Sequence, residues 1–461
     1  MNKLISKIRS FFQKTKFSDH HATHIKANRS AIQKTYFFTH VPKTGGTTLI
    51  ATLDRFFPQE RIFPHQLWWE VGDIEQVRKD NFEFFRGHFG GGAANLLTDK
   101  EVEFFTVLRN PIKLAYSTYQ HVLRDKHTQV HNLVVKEKMN FESFLSHPKT
   151  SHLASNRIVH NFCYGENNQI DKQNTIINDK SFKFIRKQLN PLHNGLTEDA
   201  CFQKALNFLE ASKWFGILEY FNESLDLLCY TMVWPPVGQT VKLNQNKNPQ
   251  NITDEAIKKA TEINVYDFQL YEYALKVFKE KYHSMLKSLG ANNDHHNISE
   301  LIDQYYQNNY LTAHQIDLHN EIEYTVADVI LGSQWHRREW SADHHCYFCW
   351  SGPESKSFLD FWLKPNHYVI RITLINTVSK NFMDSLKIKI NDQFIHWHHH
   401  KIADCDEITI NCDESLVKTN GLVRIQFEGP THKLTTGLLR SEDDRLVGFA
   451  LSRVTIKPVN D

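Results

Sequence analysis

The feature that most constrains the fold is an alternation of short β-type runs with helical stretches in the N-terminal part of the chain. Runs rich in β-branched and aromatic residues predict strands at residues 34–40, 82–86 and 104–109. Residues 46–56 and Pro111–Arg124 have the pattern of helices, the second with Pro in its first turn. Strands that alternate with helices form a parallel sheet with helices on its faces. The sequence therefore predicts an α/β fold here, with a P-loop-like sheet.

The rest of the chain divides into a helical part and a β-rich part. Helical patterns dominate from residue 141 to about 289, with one more strand predicted at 213–217, and the polar run GANNDHHN at 290–297 marks a boundary. After it, segments such as 368–376 and 422–427 are short, alternating and bounded by turns, which predicts an all-β sandwich. The predicted parts are an N-terminal segment 1–30, an α/β domain 31–290, a helical linker 291–322 and a β-sandwich accessory domain 323–461.

The overall charge narrows the class of ligand. The chain has 54 Lys and Arg residues against 52 Asp and Glu residues, which leaves a formal charge of +2, and 41% of its residues are hydrophobic. These values are typical of a globular chain and exclude a disordered chain or one steered to nucleic acid by a basic surface. Seven cysteines without the spacing of a disulfide framework favour a reducing compartment.

The first 18 residues predict contact with a membrane surface. Leu4, Ile8 and Phe12 fall on one helical face, and lysines such as Lys3 and Lys7 lie around the rest, a pattern typical of a basic amphipathic helix in an anionic interface. A frayed tail, or a helix packed on the main domain, explains the pattern equally well. No uninterrupted apolar run approaches the roughly 20 residues that a bilayer requires, so no transmembrane helix is predicted.

Residues 40–48, HVPKTGGTT, form the sharpest motif and have the chemistry of an anion cradle between a strand and a helix. The helix N-terminus offers free N–H groups and the positive end of its dipole, and Lys43 supplies a positive charge. The glycines that permit a tight turn and the possible hydroxyl donors are Gly45, Gly46, Thr44, Thr47 and Thr48. A Walker A loop places its Lys after the second Gly, whereas Lys43 precedes both, which argues against a kinase or ATPase. Taken alone, an ordinary strand-to-helix turn also fits.

A second element, LRNPIKLAYSTY at residues 108–119, adds another phosphate-type pair. Arg109 lies at the carboxyl end of a predicted strand, where open α/β sheets bind ligands, and Ser117 follows about two helical turns later. An Arg fork and a hydroxyl can hold one phosphate together. An Arg at the end of a strand usually only contacts solvent. The pair therefore indicates a phosphate site only together with the first loop.

Together these motifs resemble those of the carbohydrate O-sulfotransferases that use 3′-phosphoadenosine 5′-phosphosulfate (PAPS), particularly the heparan sulfate 2-O- and 6-O-sulfotransferases and their bacterial relatives. HVPKTGGTTL is similar to the family's 5′-phosphosulfate loop, and LRNPIKLAYSTY to its 3′-phosphate motif. The sequence Arg86-Gly87-His88-Phe89 resembles the segment that supplies the catalytic base. The similarity extends over residues 34–250 and includes 156–165 and 213–228. Departures are the glycine run Gly90-Gly91-Gly92 and Asn110, where Asp is common.

The resemblance implies a metal-free transfer of the sulfuryl group from PAPS to a carbohydrate hydroxyl. His88 would be the general base, since an imidazole titrates near neutral pH. Lys43 would neutralise the departing phosphate, and the N–H groups of the loop would hold the 5′ end. Arg109 and Ser117 would hold the 3′-phosphate, and Lys242 would close over the nucleotide. The acceptor would be a bacterial surface polysaccharide or glycolipid, and the enzyme cytoplasmic, with the N-terminal segment at the inner face of the cell membrane.

Several alternatives stay open. His88 could be a satisfied core histidine, with His40 or His121 as the base instead, and Lys247 could replace Lys242 in closing over the nucleotide. At the level of function, the alternatives are a nucleotide-dependent kinase and a glycan-binding or assembly protein with an inactive sulfotransferase-like domain.

The β-rich part contains aromatic, Cys and His clusters. Five of the nine tryptophans lie there and could stack on sugar rings, although burial in a core is the commoner role. Cys346 and Cys349 have zinc-type spacing but lack a second pair. His396, His398 and His400 alternate on a predicted strand without a carboxylate to complete a site. No metal site is predicted.

Overall fold

The computed structural model describes residues 34–165, 170–238, 252–291, 295–434 and 444–459. In these residues a parallel sheet with flanking helices is followed by an antiparallel, all-β region, as the sequence predicts. The predicted N-terminal helix, Lys242 and Lys247 lie outside the described residues. No helix in the described ranges is long and apolar enough to cross a bilayer.

The parallel sheet has four strands in the order β3-β1-β4-β6. The strands of this part are β1 Thr35–Thr39, β2 Gly72–Asp73, β3 Phe84–Gly87, β4 Val102–Leu108, β5 Ile176–Ile177 and β6 Trp214–Ile217, of which β2 and β5 form a separate antiparallel pair. Successive side chains of a strand point to opposite faces. Phe37 and Phe38, both without solvent exposure, accordingly belong to two different hydrophobic clusters, one on each face of the sheet.

Thirteen helices are assigned before the β region, in the residues that the structure describes. They are α1 Gly46–Leu53, α2 Ile74–Lys79, α3 Ala94–Leu97, α4 Pro111–Arg124, α5 His131–Lys136, α6 Phe141–Ser146, α7 Arg157–Cys163, α8 Phe182–Gln188, α9 Glu198–Ala211, α10 Phe221–Met232, α11 Asp254–Ile263, α12 Val265–Ser288 and α13 His295–His314. The helix predicted at residues 46–56 ends three residues early and continues as a 3-10 turn, Asp54–Phe56. Helix α4 has the predicted bounds, because Pro111 starts it and Asn110 caps it.

Two antiparallel sheets form the C-terminal β region. Their strands are β7 Ile322–Thr325, β8 Gly332–Ser333, β9 Trp335–Ser341, β10 Cys346–Ser351, β11 Lys356–Trp362, β12 Tyr368–Thr377, β13 Lys387–Ile390, β14 Gln393–Phe394, β15 Trp397–Ile402, β16 Cys405–Cys412, β17 Leu422–Glu428, β18 His432–Lys433, β19 Leu446–Val447 and β20 Phe449–Pro458, with the short helix α14 Phe382–Ser385. One sheet has the strand order β15-β16-β12-β20-β10-β9, and β7 also pairs with β20. The other sheet has the order β14-β13-β17-β11-β8. Strands β18 and β19 pair only with each other. Ile370 and Ile408 of the first sheet share one hydrophobic core with Ile388 and Ile425 of the second.

Helix α13, in the predicted linker, connects the two cores. Ile298 and Ile302 pack in the core of the α/β part. Tyr306 and Tyr310, further along the helix, contact Trp362 of the β region, with ring centroids 5.7 and 4.7 Å apart. The predicted linker is therefore an integral part of the packing.

Two arginines fasten the β region to the end of α1. Arg338 of β9 donates to the carbonyls of Asp54 and Arg55, at 2.6 and 3.2 Å. Arg55 is buried and in turn donates to the carbonyl of Gly332. Burial lowers the pKa of Arg55 to about 10. These contacts tie the two parts of the chain together at the helix that begins with the anion-type loop.

Candidate functional site

The loop between β1 and α1 is held in a compact turn by its own side chains. The Thr44 hydroxyl donates to the carbonyl of Val41 at 2.8 Å, and Lys43 has a φ of 74°, in the left-handed region. A Cβ atom on Gly46 would lie 2.0 Å from ring atoms of His40. Only glycine therefore fits at position 46, and the His40 ring packs directly beneath the start of the helix.

Backbone N–H groups are the main donors that this loop presents. Those of Gly45, Gly46 and Thr47 have no acceptor among the described residues, as expected for the first turn of a helix. The Thr47 side chain is exposed, whereas Thr44 and Thr48 are buried, and the Thr44 hydroxyl is already used inside the turn. Of the three predicted hydroxyl donors, Thr47 is thus the accessible one.

Arg109 links the second predicted motif to this loop. It follows β4 and donates from Nη1 to the carbonyl of Lys43 at 2.8 Å, while its buried Nε has no partner among the described residues. Burial lowers the pKa of Arg109. The Lys43 pKa is lowered by burial first and then by the charges of Arg124, Arg109 and Arg157. Such a concentration of cations is suited to an anion, although the partly exposed carboxylate of Asp125 raises the Lys43 pKa.

Arg157 is the site residue that the sequence reasoning missed. It opens α7 and its Nη1 donates to the hydroxyl of Thr118 on α4. Burial lowers its pKa to about 10, and its charge is close enough to lower the pKa of both Lys43 and His88. The available signal was its place in the segment 156–165, which resembles the sulfotransferase family but to which no role had been assigned.

His88 follows β3 and lies against the loop. Its Nδ1 is 3.0 Å from the carbonyl of His40, and since a carbonyl can only accept, Nδ1 carries the proton. The backbone N–H of His88 donates to the carbonyl of Gln66 at 2.8 Å, which fixes the segment. Burial lowers the pKa of His88, with smaller contributions from Arg157 and Lys43, against a raising effect of the hydrogen bond. The imidazole is therefore neutral near pH 7, and its Nε2 carries a lone pair that no donor among the described residues occupies.

The two alternative histidines have different environments. His40 is 6% exposed, its Nδ1 has no partner among the described residues, and its ring centroid lies 4.3 Å from that of His88. Burial lowers its pKa well below the usual value. His121 on α4 lies 3.7 Å from the carboxylate of Asp125, and burial also lowers its pKa. His40 is thus buried beneath the loop, whereas His121 pairs with Asp125 at the rim of the loop.

Ser117 lies on α4, one helical turn before His121. It is partly buried and precedes His121 by four residues, so that both side chains lie on one face of α4. The charge of Lys43 lowers the pKa of His121, which shows that this face is near the loop. No contact of Ser117 itself with another site residue is recorded in the described structure.

The two departures from the family pattern have structural roles. The Asn110 side chain accepts from the N–H groups of Ile112 and Lys113 and caps α4. In the glycine run after His88, a Cβ on Gly90 would lie 2.2 Å from the carbonyl of Tyr164. The glycines therefore let this segment pack against the chain that leaves α7.

The clusters of the β region do not converge on a metal-type site. Cys346 and Cys349 are three residues apart on β10 and so point to opposite faces, with Cys349 in the core. His399 pairs with Asp406 at 2.7 Å on exposed β15. Within the described ranges, no group of three or more His, Cys, Asp or Glu side chains could hold a metal ion.

Two cavities lie away from the loop. One of 470 Å³ lies between α10, α12 and β6, and one of 280 Å³ lies in the β region. Neither is lined by Lys43, His88 or Arg109.

Comparison with known proteins identifies no family. No protein-family model matches the chain, and no curated protein matches it significantly. Among solved structures, the chain is similar to a family GH115 4-O-methyl-α-glucuronidase with specificity for decorated arabinogalactans, with a TM-score of 0.20 and 9% identity. The match covers 78% of this chain and 51% of that protein, so the chain spans about half its length. At this TM-score the likeness indicates neither fold nor function.

Proposed function

We propose that the protein transfers the sulfuryl group of PAPS to a hydroxyl of a carbohydrate. The observation on which this rests is the hydrogen bond from Nδ1 of His88 to the carbonyl of His40, beside a loop of free N–H groups. This hydrogen bond leaves His88 as a neutral base, next to a group of positive charges that could bind an anion. That combination is what a transfer from an anionic donor to a hydroxyl requires.

His88 takes the acceptor proton on Nε2 as the hydroxyl oxygen forms its bond to sulfur. The bond from sulfur to the bridging oxygen of the 5′-phosphate breaks in the same step, and the electron pair stays on that oxygen. Lys43 offsets the charge that develops there, and its lowered pKa reflects how weakly its charge is solvated. No oxidant or reductant enters the balance.

The remaining cations and N–H groups would bind PAPS, the sulfuryl donor. The loop N–H groups of Gly45, Gly46 and Thr47 would bind the 5′ end, and Arg109 and Ser117 the 3′-phosphate. Arg157 adds a positive charge between α4 and α7. The adjacency of the loop and Arg109, together with the charges of Arg124 and Arg157 near Lys43, supports PAPS as the ligand of this set.

The proposed acceptor is a bacterial surface polysaccharide or glycolipid assembled at the inner face of the cell membrane. It is supported by the family resemblance and by the basic pattern of residues 1–18, which lie outside the described residues.

The test supplies the protein with sulfur-35-labelled PAPS and, in parallel, with phosphorus-32-labelled ATP, each with a set of desulfated glycans. Label transferred from PAPS and abolished by His88→Ala supports the sulfotransferase. Label transferred only from ATP would indicate a kinase, and glycan binding without transfer would indicate an inactive domain. Either of these two results overturns the proposal.

A further inference from the structure

The cavity of 280 Å³ in the β region has a lining that the proposed chemistry does not use. It lies between β9, β10 and β12 and is completed by Leu434 and Arg445. Its volume is just below the roughly 300–1,000 Å³ of pockets that hold drug-sized ligands, which suits a smaller unit. Its lining combines aromatic rings with hydrogen-bonding side chains.

Phe348 and Trp350 provide the aromatic part of the cavity. Trp350 is only 4% exposed, whereas Phe348 is partly exposed, and the two rings meet edge to face with centroids 6.3 Å apart. Trp350 therefore supports Phe348 from below, and Phe348 can offer its ring to a ligand. An aromatic face packs well against the C–H face of a sugar ring, which is apolar while its rim is polar.

Polar side chains surround these rings. Glu339 pairs with Nη1 of Arg445 at 2.8 Å, and Asp343 and Asn376 complete the rim. Carboxylates and amide oxygens accept hydrogen bonds from hydroxyl groups. Among the described lining residues, the two carboxylates of Glu339 and Asp343 outnumber the single guanidinium of Arg445. A negative cavity repels sulfate and carboxylate groups, so its chemistry favours an uncharged ligand.

We propose that this cavity binds an uncharged sugar ring of a glycan chain, at a site separate from the one around His88. The proposal does not depend on sulfuryl transfer. Phe348 stacks on the ring, and Asp343 and Asn376 accept from its hydroxyls. In this assignment the β region binds unsulfated glycan in preference to its sulfated form.

Native electrophoresis of the full chain through gels containing galactan, mannan or β-glucan tests the proposal. We expect at least one of these neutral polysaccharides to slow the protein, and carrageenan, a sulfated galactan, to slow it less. Phe348→Ala should abolish the effect. Asp343→Asn, at an exposed position, should weaken the apparent affinity about tenfold. Trp340→Ala is the matched control, because Trp340 is exposed on the other face of the same hairpin.

Three results would overturn the assignment. They are the absence of retardation by all three neutral polysaccharides, wild-type affinity in Asp343→Asn and in folded Phe348→Ala, and stronger binding to carrageenan than to any neutral polysaccharide. If circular dichroism shows that Phe348→Ala does not fold, the apparent affinities of Asp343→Asn and Trp340→Ala for the neutral polysaccharide are compared instead. Equal affinities of these two variants would then overturn the assignment.

Discussion

At the scale of single residues, the hydrogen bond between His88 and the His40 carbonyl determines which nitrogen can act. Because Nδ1 donates, the proton transfer that we propose for His88 would use Nε2. A neutral histidine of this kind needs no activation by a carboxylate partner. Burial, which lowers its pKa, keeps the base unprotonated over the neutral range.

The lowered pKa of His88 predicts the pH dependence of the reaction. In the proposed mechanism the reaction requires the unprotonated imidazole of His88. We therefore expect kcat/KM to rise with pH, with a midpoint below 6.5, and then to stay level. The negative charge of bound PAPS favours the protonated form of His88. The rise of kcat with pH should therefore have its midpoint at a higher pH than the rise of kcat/KM. Rates measured from pH 5 to 8 check both. The rise with pH should persist in His121→Gln, and a midpoint at or above 6.5 in kcat/KM would contradict the assignment.

Arg109 has a geometric task as well as a charge. Its guanidinium donates to the carbonyl of Lys43, and its fork has further N–H groups that could bind the proposed 3′-phosphate in a geometry that a lysine ammonium does not offer. Arg109→Lys should therefore raise the Kd for adenosine 3′,5′-bisphosphate about tenfold or more. Calorimetric titration measures this. The control Lys113→Ala, at an exposed position in the next helical turn, should change the Kd less than twofold; equal effects of both variants would show that only net charge matters.

Sequence reasoning could propose Lys43, His88 and Arg109 because they belong to short local motifs. It could not find the use of the Thr44 hydroxyl inside the turn, since that depends on the backbone conformation around Val41. Arg157 was missed for a different reason. Its relation to Lys43 arises only when α7 packs beside α4, a contact between segments that are distant along the chain.

At the scale of elements, the start of α4 illustrates how a local signal fixes a boundary. Pro111 cannot donate an N–H group and is favoured in the first turn, and Asn110 accepts from the next two N–H groups. Helix and strand bounds with such signals were predicted to within about two residues. The end of α1 was not, because the change to a 3-10 turn at Asp54 accompanies contacts with Arg338, far along the chain.

Loss of the Asn110 cap should destabilise α4 measurably. Asn110→Ala removes two acceptor contacts and should lower the free energy of unfolding by about 1 kcal/mol. Asn110→Asp keeps an acceptor at the cap and should lose less, even though the carboxylate of Glu219 lies nearby. Urea denaturation measures both. A larger loss in Asn110→Asp than in Asn110→Ala would show that repulsion from Glu219 dominates.

At the scale of the whole molecule, the buried arginines at the junction should make unfolding cooperative between the two parts. Arg338→Ala leaves the carbonyls of Asp54, Arg55 and Val326 without this donor and should lower the free energy of unfolding by about 3 kcal/mol or more. Scanning calorimetry should then resolve two transitions in place of one. Arg337→Ala is the control, since Arg337 is the exposed neighbour. A single unshifted transition in Arg338→Ala would show that the junction is not a source of coupling.

The position of Asp54 has a consequence for how such a protein can evolve. Its carbonyl accepts from Arg338, and its carboxylate binds Arg86, two residues before His88. A recombination event that exchanged the β region for an unrelated domain would remove Arg338. The carbonyl of Asp54, at the end of α1, would then lose its hydrogen-bond donor. The two halves should therefore be inherited together in homologous genes.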